Sequence, residues 1–216
     1  MTPATPFLTR PARIGLYGGT FDPIHAAHLL LAHSAIEQLA LDRVLFIVSG
    51  TPAQKSHAAD PGDRVRMVEL AIAGDARLQL ELIEVERHGP SYAIDTVIAL
   101  RERFGPLACL AWLMGSDQYS NLPTWRRHGE LLEYVNIAVA RRADDTIDLP
   151  ALHQLRHPHG DMASFEMPAH TGAASNIREA IAEGHDETLA LLLHPDVLDY
   201  IRLHNLYNNG RPPNPG

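Results

Sequence analysis

The sequence predicts a doubly wound, Rossmann-like α/β fold, in which a parallel sheet of five or six strands carries helices on both faces. Short apolar runs of strand length alternate along the chain with longer segments of helical period, which is typical of βαβ units. The residues that break this pattern follow the predicted strand ends at Tyr17, Val48 and Met114. Such sheets bind ligands beyond the carboxyl ends of their strands, so a binding site is expected there.

Each element has its own signal in the apolar pattern. The predicted strands cover residues 13–17, 43–48, 78–85, 107–114 and 135–140. The predicted helices cover residues 26–39, 64–73, 93–104 and 195–203. Asp60 is expected to cap a helix with Pro61 at its first position, and His194 with Pro195 opens the last helix in the same way.

The composition fits one large domain. The 216 residues are 45% hydrophobic, which is enough to bury a core without disulfides or structural metal. We expect a flexible segment at residues 1–12, a single domain at residues 13–207 and a disordered tail at residues 208–216, which is rich in Pro, Gly and Asn. Cys109 is the only cysteine, so no intramolecular disulfide can form and a reducing, cytoplasmic location is expected.

The charge and hydropathy of the chain argue against several partners. Eighteen Lys and Arg oppose 26 Asp and Glu, for a formal net charge of −8, which disfavours nucleic acid because its binding depends on basic side chains. No apolar run approaches the ~20 residues that span a bilayer, so no membrane partner is expected. An anionic ligand must therefore be held locally, by backbone N–H groups, helix N-termini and a few basic side chains.

The segment after the first predicted strand combines two glycines with two histidines. Gly18 and Gly19 let the backbone come close to a ligand, although the pair is also compatible with a plain strand-to-helix turn. His25 and His28 are three residues apart, which puts both imidazoles on one face near the start of a helix. There they predict an anion site, with phosphate as the obvious ligand. Zinc is disfavoured, because zinc helices of the His-Glu-x-x-His type use a spacing of four.

The run Gly18-Gly19-Thr20-Phe21-Asp22-Pro23-x-His25-x-x-His28 resembles the signature of the nucleotidylyltransferase superfamily and, within it, of the bacterial nicotinate-nucleotide adenylyltransferases. Members of that family make nicotinic acid adenine dinucleotide and pyrophosphate from ATP and nicotinate mononucleotide, a step of NAD biosynthesis. The resemblance implies that His25 and His28 are catalytic and contact the ATP phosphates. Four further ATP contacts are implied at Gly18, Gly19, Thr20 and Phe21.

Two later segments carry the implied contacts to nicotinate mononucleotide. The resemblance places Lys55 beside the mononucleotide phosphate, Thr96 near the nicotinate ring and Trp125 in a stack on that ring. Trp125 lies among Pro, Thr and Arg rather than in an apolar period, which favours this role over burial. From the residues alone, Lys55 is compatible with a solvated loop lysine and Thr96 with an ordinary first-turn threonine.

The end of the fourth predicted strand carries the implied nucleotide contacts. Gly115 permits close approach to the nucleotide, and the Asp117 carboxylate is implied at the ribose hydroxyls of the adenylate, as acidic residues are in other dinucleotide folds. Without the resemblance, Asp117 is equally a helix N-cap. Trp112, inside an apolar strand, is expected in the core.

The last motif departs from the family pattern. Where members typically show Ile-Ser-Ser-Thr-x-Ile-Arg, this chain has Gly-Ala-Ala-Ser-Asn-Ile-Arg at residues 172–178. Ala173 and Ala174 replace the two serines, while the N–H groups of a helix N-terminus remain able to bind phosphate. The resemblance implies that Ser175 and Ile177 contact ATP and that Arg178 is catalytic, holding the β and γ phosphates. It covers residues 14 to 207, nearly the whole chain.

The implied cofactor is Mg²⁺ bound together with ATP, because the sequence contains no cluster of acidic ligands dedicated to a metal. The expected partners are ATP and nicotinate mononucleotide, and a homo-oligomer is left open. Three alternatives also stay open: transfer to another acceptor such as nicotinamide mononucleotide or phosphopantetheine, a nucleotide-binding module without turnover, and a histidine-dependent metal hydrolase.

Overall fold

The computed structural model describes residues 10–50, 58–87, 89–142, 145–151, 156–170 and 172–208. Of the flanking segments predicted to lack order, 1–12 and 208–216, residues 1–9 and 209–216 lie outside the described residues, as does Lys55.

Six parallel strands form a single sheet in the order β3-β2-β1-β4-β5-β6. The strands are β1 (Arg13–Gly19), β2 (Arg43–Val48), β3 (Leu78–Glu81), β4 (Cys109–Gly115), β5 (Asn136–Arg141) and β6 (Met162–Glu166). The chain runs outward from β1 to β3 and then returns to β4 beside β1, so the winding reverses between β1 and β4. This confirms the doubly wound fold class.

The helices lie on both faces of the sheet. They are α1 (Ala26–Leu39), α2 (Pro61–Ile72), α3 (Ile83–Glu86), α4 (Ala93–Phe104), α5 (Ser116–Asn121), α6 (Ala174–Glu183), α7 (Asp186–Leu192) and α8 (Pro195–Leu203), with 3-10 turns at Leu122–Thr124 and His128–Glu133. The predicted helix starts are confirmed, since the Asp60 carboxylate accepts from the Gly62 N–H at 2.8 Å and Pro61 opens α2. In the described residues, no helix is both long and apolar enough to cross a bilayer.

Several elements differ from the sequence prediction. The first strand, β1, continues to Gly19 rather than ending at Tyr17, and α5 and α7 lie in segments to which no element was assigned. The predicted strand 78–85 ends at Glu81, and α3 follows it. In α3 the buried Glu84 carboxylate accepts a hydrogen bond from the Thr96 hydroxyl on α4. The sixth strand, β6, falls in a segment to which the sequence analysis assigned no element. It pairs with β5 at the edge of the sheet.

Alternating residues of the strands build one core on each face of the sheet. In β1, Ile14 and Leu16 face the helix α4 side, whereas Tyr17 faces the core that contains α1, α2, α6, α7 and α8. Burial on both faces requires near-continuous apolar strands, which is why the strands of this chain stand out in its sequence.

Candidate active site

A cleft of about 860 Å³ opens beyond the carboxyl ends of β1 and β4, at the point where the winding of the sheet reverses. Ligands of open α/β sheets bind at this point. Nine of the predicted site residues line the cleft together: Gly18, Gly19, Thr20, Phe21, His25, His28, Gly115, Asp117 and Trp125.

Gly18 lies in β1 rather than in a turn after it, and the neighbouring ring of Trp112 requires a glycine there. A Cβ at Gly18 would lie 2.5 Å from the ring of Trp112, closer than any side chain tolerates. Trp112 is buried as expected, with 4% of its surface exposed, but it also lines the cleft. The ring of Trp125 meets it edge-on, with 6.1 Å between ring centroids, so the two indoles form one end of the cleft.

The two histidines stand together at the start of α1. His25 is the N-cap residue rather than part of the helix, and His28 lies in the first turn. Their rings are 3.8 Å apart between centroids. The backbone N–H of His25 donates to Nδ1 of His28 at 3.1 Å. A neutral His28 therefore carries its proton on Nε2, which makes Nε2 a donor.

His25 has a polar atom that the described residues leave without a hydrogen-bond partner. Its side chain is buried, with 6% of the residue exposed, and no described group bonds its Nδ1. Burial, together with the neighbouring charge of His170, lowers the pKa of His25 to about 4, so the ring is neutral at pH 7. A buried ring nitrogen of this kind is costly unless a ligand satisfies it.

Sequence reasoning missed Arg64, whose side chain bonds the backbone of the segments that follow β1 and β2. Its side chain is almost fully buried, and its guanidinium donates to four carbonyl oxygens, those of Ala59 (2.9 Å), Thr20 (3.0 Å), Ser49 (2.6 Å) and Gly50 (3.0 Å). The buried face of α2 also includes Met67, Val68 and Ala71. A charged residue in register with this apolar i, i+3, i+4, i+7 pattern was the signal that could have found it.

Sequence reasoning also missed Asp22, whose hydrogen bonds hold the turn between β1 and α1 in place. Only 3% of it is exposed. Its Oδ1 accepts from the backbone N–H of Ala59 at 3.1 Å and from the hydroxyl of Tyr207 at 2.7 Å. Nη1 of Arg178 donates to the backbone carbonyl of Asp22 at 2.6 Å and lies 3.8 Å from Oδ2.

The residue predicted to contact the ribose, Asp117, lies just beyond the end of β4. Asp117 is exposed in the first turn of α5, and the N-cap of that helix is Gly115, so the N-cap interpretation of Asp117 is wrong. The Asp117 Oδ1 would lie 2.8 Å from a Cβ at Gly115, so glycine lets the carboxylate fold back over the strand end.

Thr96 is placed away from the cleft surface. It is fully buried, its hydroxyl donates to Glu84 at 2.7 Å, and Arg87 donates to the same hydroxyl at 3.2 Å. Burial raises the pKa of Glu84, while hydrogen bonds from Thr96 and Ser91 oppose that shift. Thr96 thus supports the wall of the cleft, which Glu84 and Ser91 line.

The motif at residues 172–178, which differs from the family pattern, lies only partly in the cleft. Ala173 and Ala174 line it at the start of α6. Ser175 is exposed and its hydroxyl bonds Asn176 at 3.2 Å, while Ile177 is fully buried in the core. Among the described residues, no three His, Cys, Asp or Glu side chains come together as ligands for a metal ion.

Comparison with known proteins gives concordant results. Residues 16–180 match the cytidylyltransferase-like family. The chain is 39% identical over 207 residues to a probable nicotinate-nucleotide adenylyltransferase of Neisseria meningitidis serogroup C, covering 90% of this chain and 98% of the relative. It is 40% identical over 206 residues to a protein of the same name from Bordetella petrii, with the same coverage.

A solved structure shares the fold. Plasmodium falciparum nicotinic acid mononucleotide adenylyltransferase complexed with NaAD superposes with a TM-score of 0.74, at 20% identity, over 91% of this chain and 98% of the other.

Proposed function

The chain belongs to the cytidylyltransferase-like family and, within it, to the nicotinate-nucleotide adenylyltransferases, and we propose that its cleft transfers the adenylyl group of ATP to nicotinate mononucleotide. The products are nicotinic acid adenine dinucleotide and pyrophosphate, so the enzyme serves NAD biosynthesis. One observation carries the proposal: a single cleft holds the histidine pair beside the glycine turn together with Asp117 and Trp125.

The chemistry is an in-line displacement at phosphorus. A 5′-phosphate oxygen of the mononucleotide attacks the α-phosphorus of ATP, a new P–O bond forms, and the bond to the β-phosphate bridging oxygen breaks to release pyrophosphate. Because the second pKa of a phosphate monoester is ≈ 6, the nucleophile is mostly dianionic at pH 7 and needs no general base. The protein accelerates the reaction by positioning two anions that repel each other and by stabilising the charge that develops.

The histidine pair is assigned to the α and β phosphates. Nε2 of His28 is the donor, since Nδ1 accepts from the His25 backbone. The ring of His25, which is neutral at pH 7, lines the same cleft and can donate to a phosphate oxygen from the ring nitrogen that carries its proton. Thr20 lies in the same turn, and we assign it a phosphate contact as well.

The remaining contacts divide between the two substrates. We assign Asp117 to the ribose hydroxyls of the adenylate and Trp125 to the nicotinate ring. Lys55, outside the described residues, is assigned to the mononucleotide phosphate, and Thr96 to support of the ring pocket. Arg178 and the start of α6 are assigned to the leaving pyrophosphate, with backbone N–H groups standing in for the missing serine hydroxyls.

The described residues form no cage for a resident metal. We therefore propose that Mg²⁺ would be bound together with ATP rather than by a set of protein ligands. When bound, it would neutralise part of the phosphate charge.

The proposed function is tested by measuring pyrophosphate release with ATP and Mg²⁺ and each of three acceptors: nicotinate mononucleotide, nicotinamide mononucleotide and phosphopantetheine. A strong preference for the nicotinate form is expected. Preference for another acceptor would reassign the substrate. ATP binding without release for any acceptor would instead favour a nucleotide-binding module, as the altered motif at residues 172–175 permits.

Replacing Trp125 by alanine should raise the KM for nicotinate mononucleotide by roughly 3- to 10-fold, which is the size of one aromatic stacking contact. Steady-state kinetics with each substrate varied in turn measures the effect. Trp125→Phe is the matched control, because it retains an aromatic face and should recover most of the affinity. A change confined to the KM for ATP would contradict the assignment of this indole to the nicotinate ring.

The buried, neutral His25 should make the protein less stable as the pH is lowered from 6.5 towards 4. In that range the unfolded chain protonates this histidine whereas the folded chain, with a pKa of about 4, does not. A shift from 6.5 to about 4 corresponds to about 3 kcal/mol in the free energy of unfolding once pH falls below both values. Urea denaturation of the wild type and His25→Asn at several pH values isolates this contribution. Equal pH slopes for the two proteins would contradict it.

A further inference from the structure

The hydroxyl of Tyr207, in the segment after α8, forms a hydrogen bond to the turn between β1 and α1. This turn, residues 20–25, is called the catalytic turn below. The Oη of Tyr207 donates to Oδ1 of Asp22 at 2.7 Å, across 185 residues of sequence. Tyr207 lies just beyond α8 with a positive φ of 66°, and its ring packs on the core that contains α1 and α8. The phenol is therefore held in place by packing rather than by this hydrogen bond alone.

Asp22 connects Tyr207 to the residues of the same turn that we assign to substrate binding. It lies in the cleft wall, one residue after Phe21, whose φ of 50° is a conformation that side chains rarely adopt, and three residues before the N-cap His25. A buried carboxylate fixed by several donors can hold such a turn in one geometry.

We propose that Tyr207 is a positioning residue for adenylyl transfer, which through Asp22 holds the turn that carries Thr20 and His25. The proposal rests on the proposed function of the cleft. Tyr207 itself does not line the cleft, so it acts without touching either substrate. Burial and the adjacent Asp22 raise the pKa of the Tyr207 phenol, which keeps the hydroxyl a donor over the working pH range.

A second tyrosine provides a matched control. The Oη of Tyr200 donates to Oδ1 of Asp63 at 2.8 Å and so joins α8 to α2 with the same pair of groups. Neither Tyr200 nor Asp63 lines the cleft. Tyr200→Phe and Tyr207→Phe therefore remove the same hydroxyl from bonds of similar length. The bond of Tyr207 reaches the catalytic turn at the buried Asp22, whereas that of Tyr200 ends at the half-buried Asp63.

The experiment compares kcat, KM and thermal stability of the two variants with those of the wild type. Tyr207→Phe should lower kcat by about 10-fold, because small displacements of phosphate-binding groups weaken contacts made in the transition state. The KM for nicotinate mononucleotide should stay within about 2-fold, since Trp125 is unaffected. Tyr200→Phe should lose less thermal stability, because its acceptor Asp63 is more exposed than Asp22, and it should keep its kcat. Equal kcat for the two variants would overturn the proposal.

Two further measurements separate this inference from the proposed function. Hydrogen exchange of residues 18–28 should be faster in Tyr207→Phe than in Tyr200→Phe, and this readout does not depend on turnover. If the wild type releases no pyrophosphate, the proposed function fails, whereas unchanged exchange in Tyr207→Phe means that the inference fails. In an Asp22→Asn background, the effect of Tyr207→Phe on exchange should shrink, because a neutral amide is a weaker acceptor.

Discussion

Replacing His28 by alanine should lower kcat by about 100-fold or more, which is the loss typical of removing one donor that stabilises a transition state. The reason is the tautomer set by the fold. Because Nδ1 of His28 accepts from the His25 backbone N–H at 3.1 Å, Nε2 carries the proton. Under the proposed function, Nε2 donates to the charge that grows as the bond to pyrophosphate breaks. The substitution also removes a ring that stacks on His25. Rates of pyrophosphate release at saturating substrates measure the effect.

His33 provides the control on the same helix. It lies on α1 with 44% of its side chain exposed and pairs with Asp75 at 3.3 Å, remote from the cleft lining. His33→Ala should turn over at the wild-type rate. If His28→Ala behaves like His33→Ala, His28 does not contact the reacting phosphates.

Replacing Arg64 by methionine should destabilise the protein by about 3 kcal/mol or more. The change leaves the carbonyls of Thr20, Ser49 and Gly50 without their buried donor, and an unsatisfied buried polar group costs about 1–3 kcal/mol each. For a domain of this size the melting temperature should fall by roughly 6–12 °C. Thermal and urea unfolding measure the loss, and turnover should fall with it because the same carbonyls hold the turn.

Arg66, two residues along α2, is the matched control for this substitution. Its guanidinium is exposed and pairs with Glu69 at 3.0 Å, and such surface pairs contribute about 0–1 kcal/mol. Arg66→Met should therefore unfold close to the wild type. If the two variants melt at the same temperature, the four carbonyl contacts of Arg64 do not stabilise the fold.

The features that sequence predicted correctly are local ones. Apolar periodicity is set by neighbouring residues, so the βαβ pattern and the cap at Asp60 could be inferred without tertiary information. The histidine pair was equally accessible, because a spacing of three brings side chains together wherever a helix begins. The end of β3 at Glu81 was not, because apolar residues and glutamates continue through α3 and give no local signal for the end of the strand.

The features that sequence missed join distant parts of the chain. Arg64 bonds the carbonyl of Thr20, 44 residues away, and Tyr207 bonds Asp22, 185 residues away. Every residue type supplies a backbone carbonyl, so no sequence pattern identifies the partners of Arg64. The six-stranded sheet shows the same limit, since β6 is a short edge strand whose pairing with β5 depends on tertiary contacts.

The bonds to Asp22 also set an order of assembly during synthesis. The turn with both histidines emerges early from the ribosome, whereas Arg178 and Tyr207 emerge far later. A nascent chain that has passed β2 already contains His25 and His28, but the turn that carries them still lacks its bonds to Arg178 and Tyr207. We therefore expect full turnover only after α8 has been translated and docked. A product truncated before that helix should keep both histidines but lack the Tyr207 bond to Asp22.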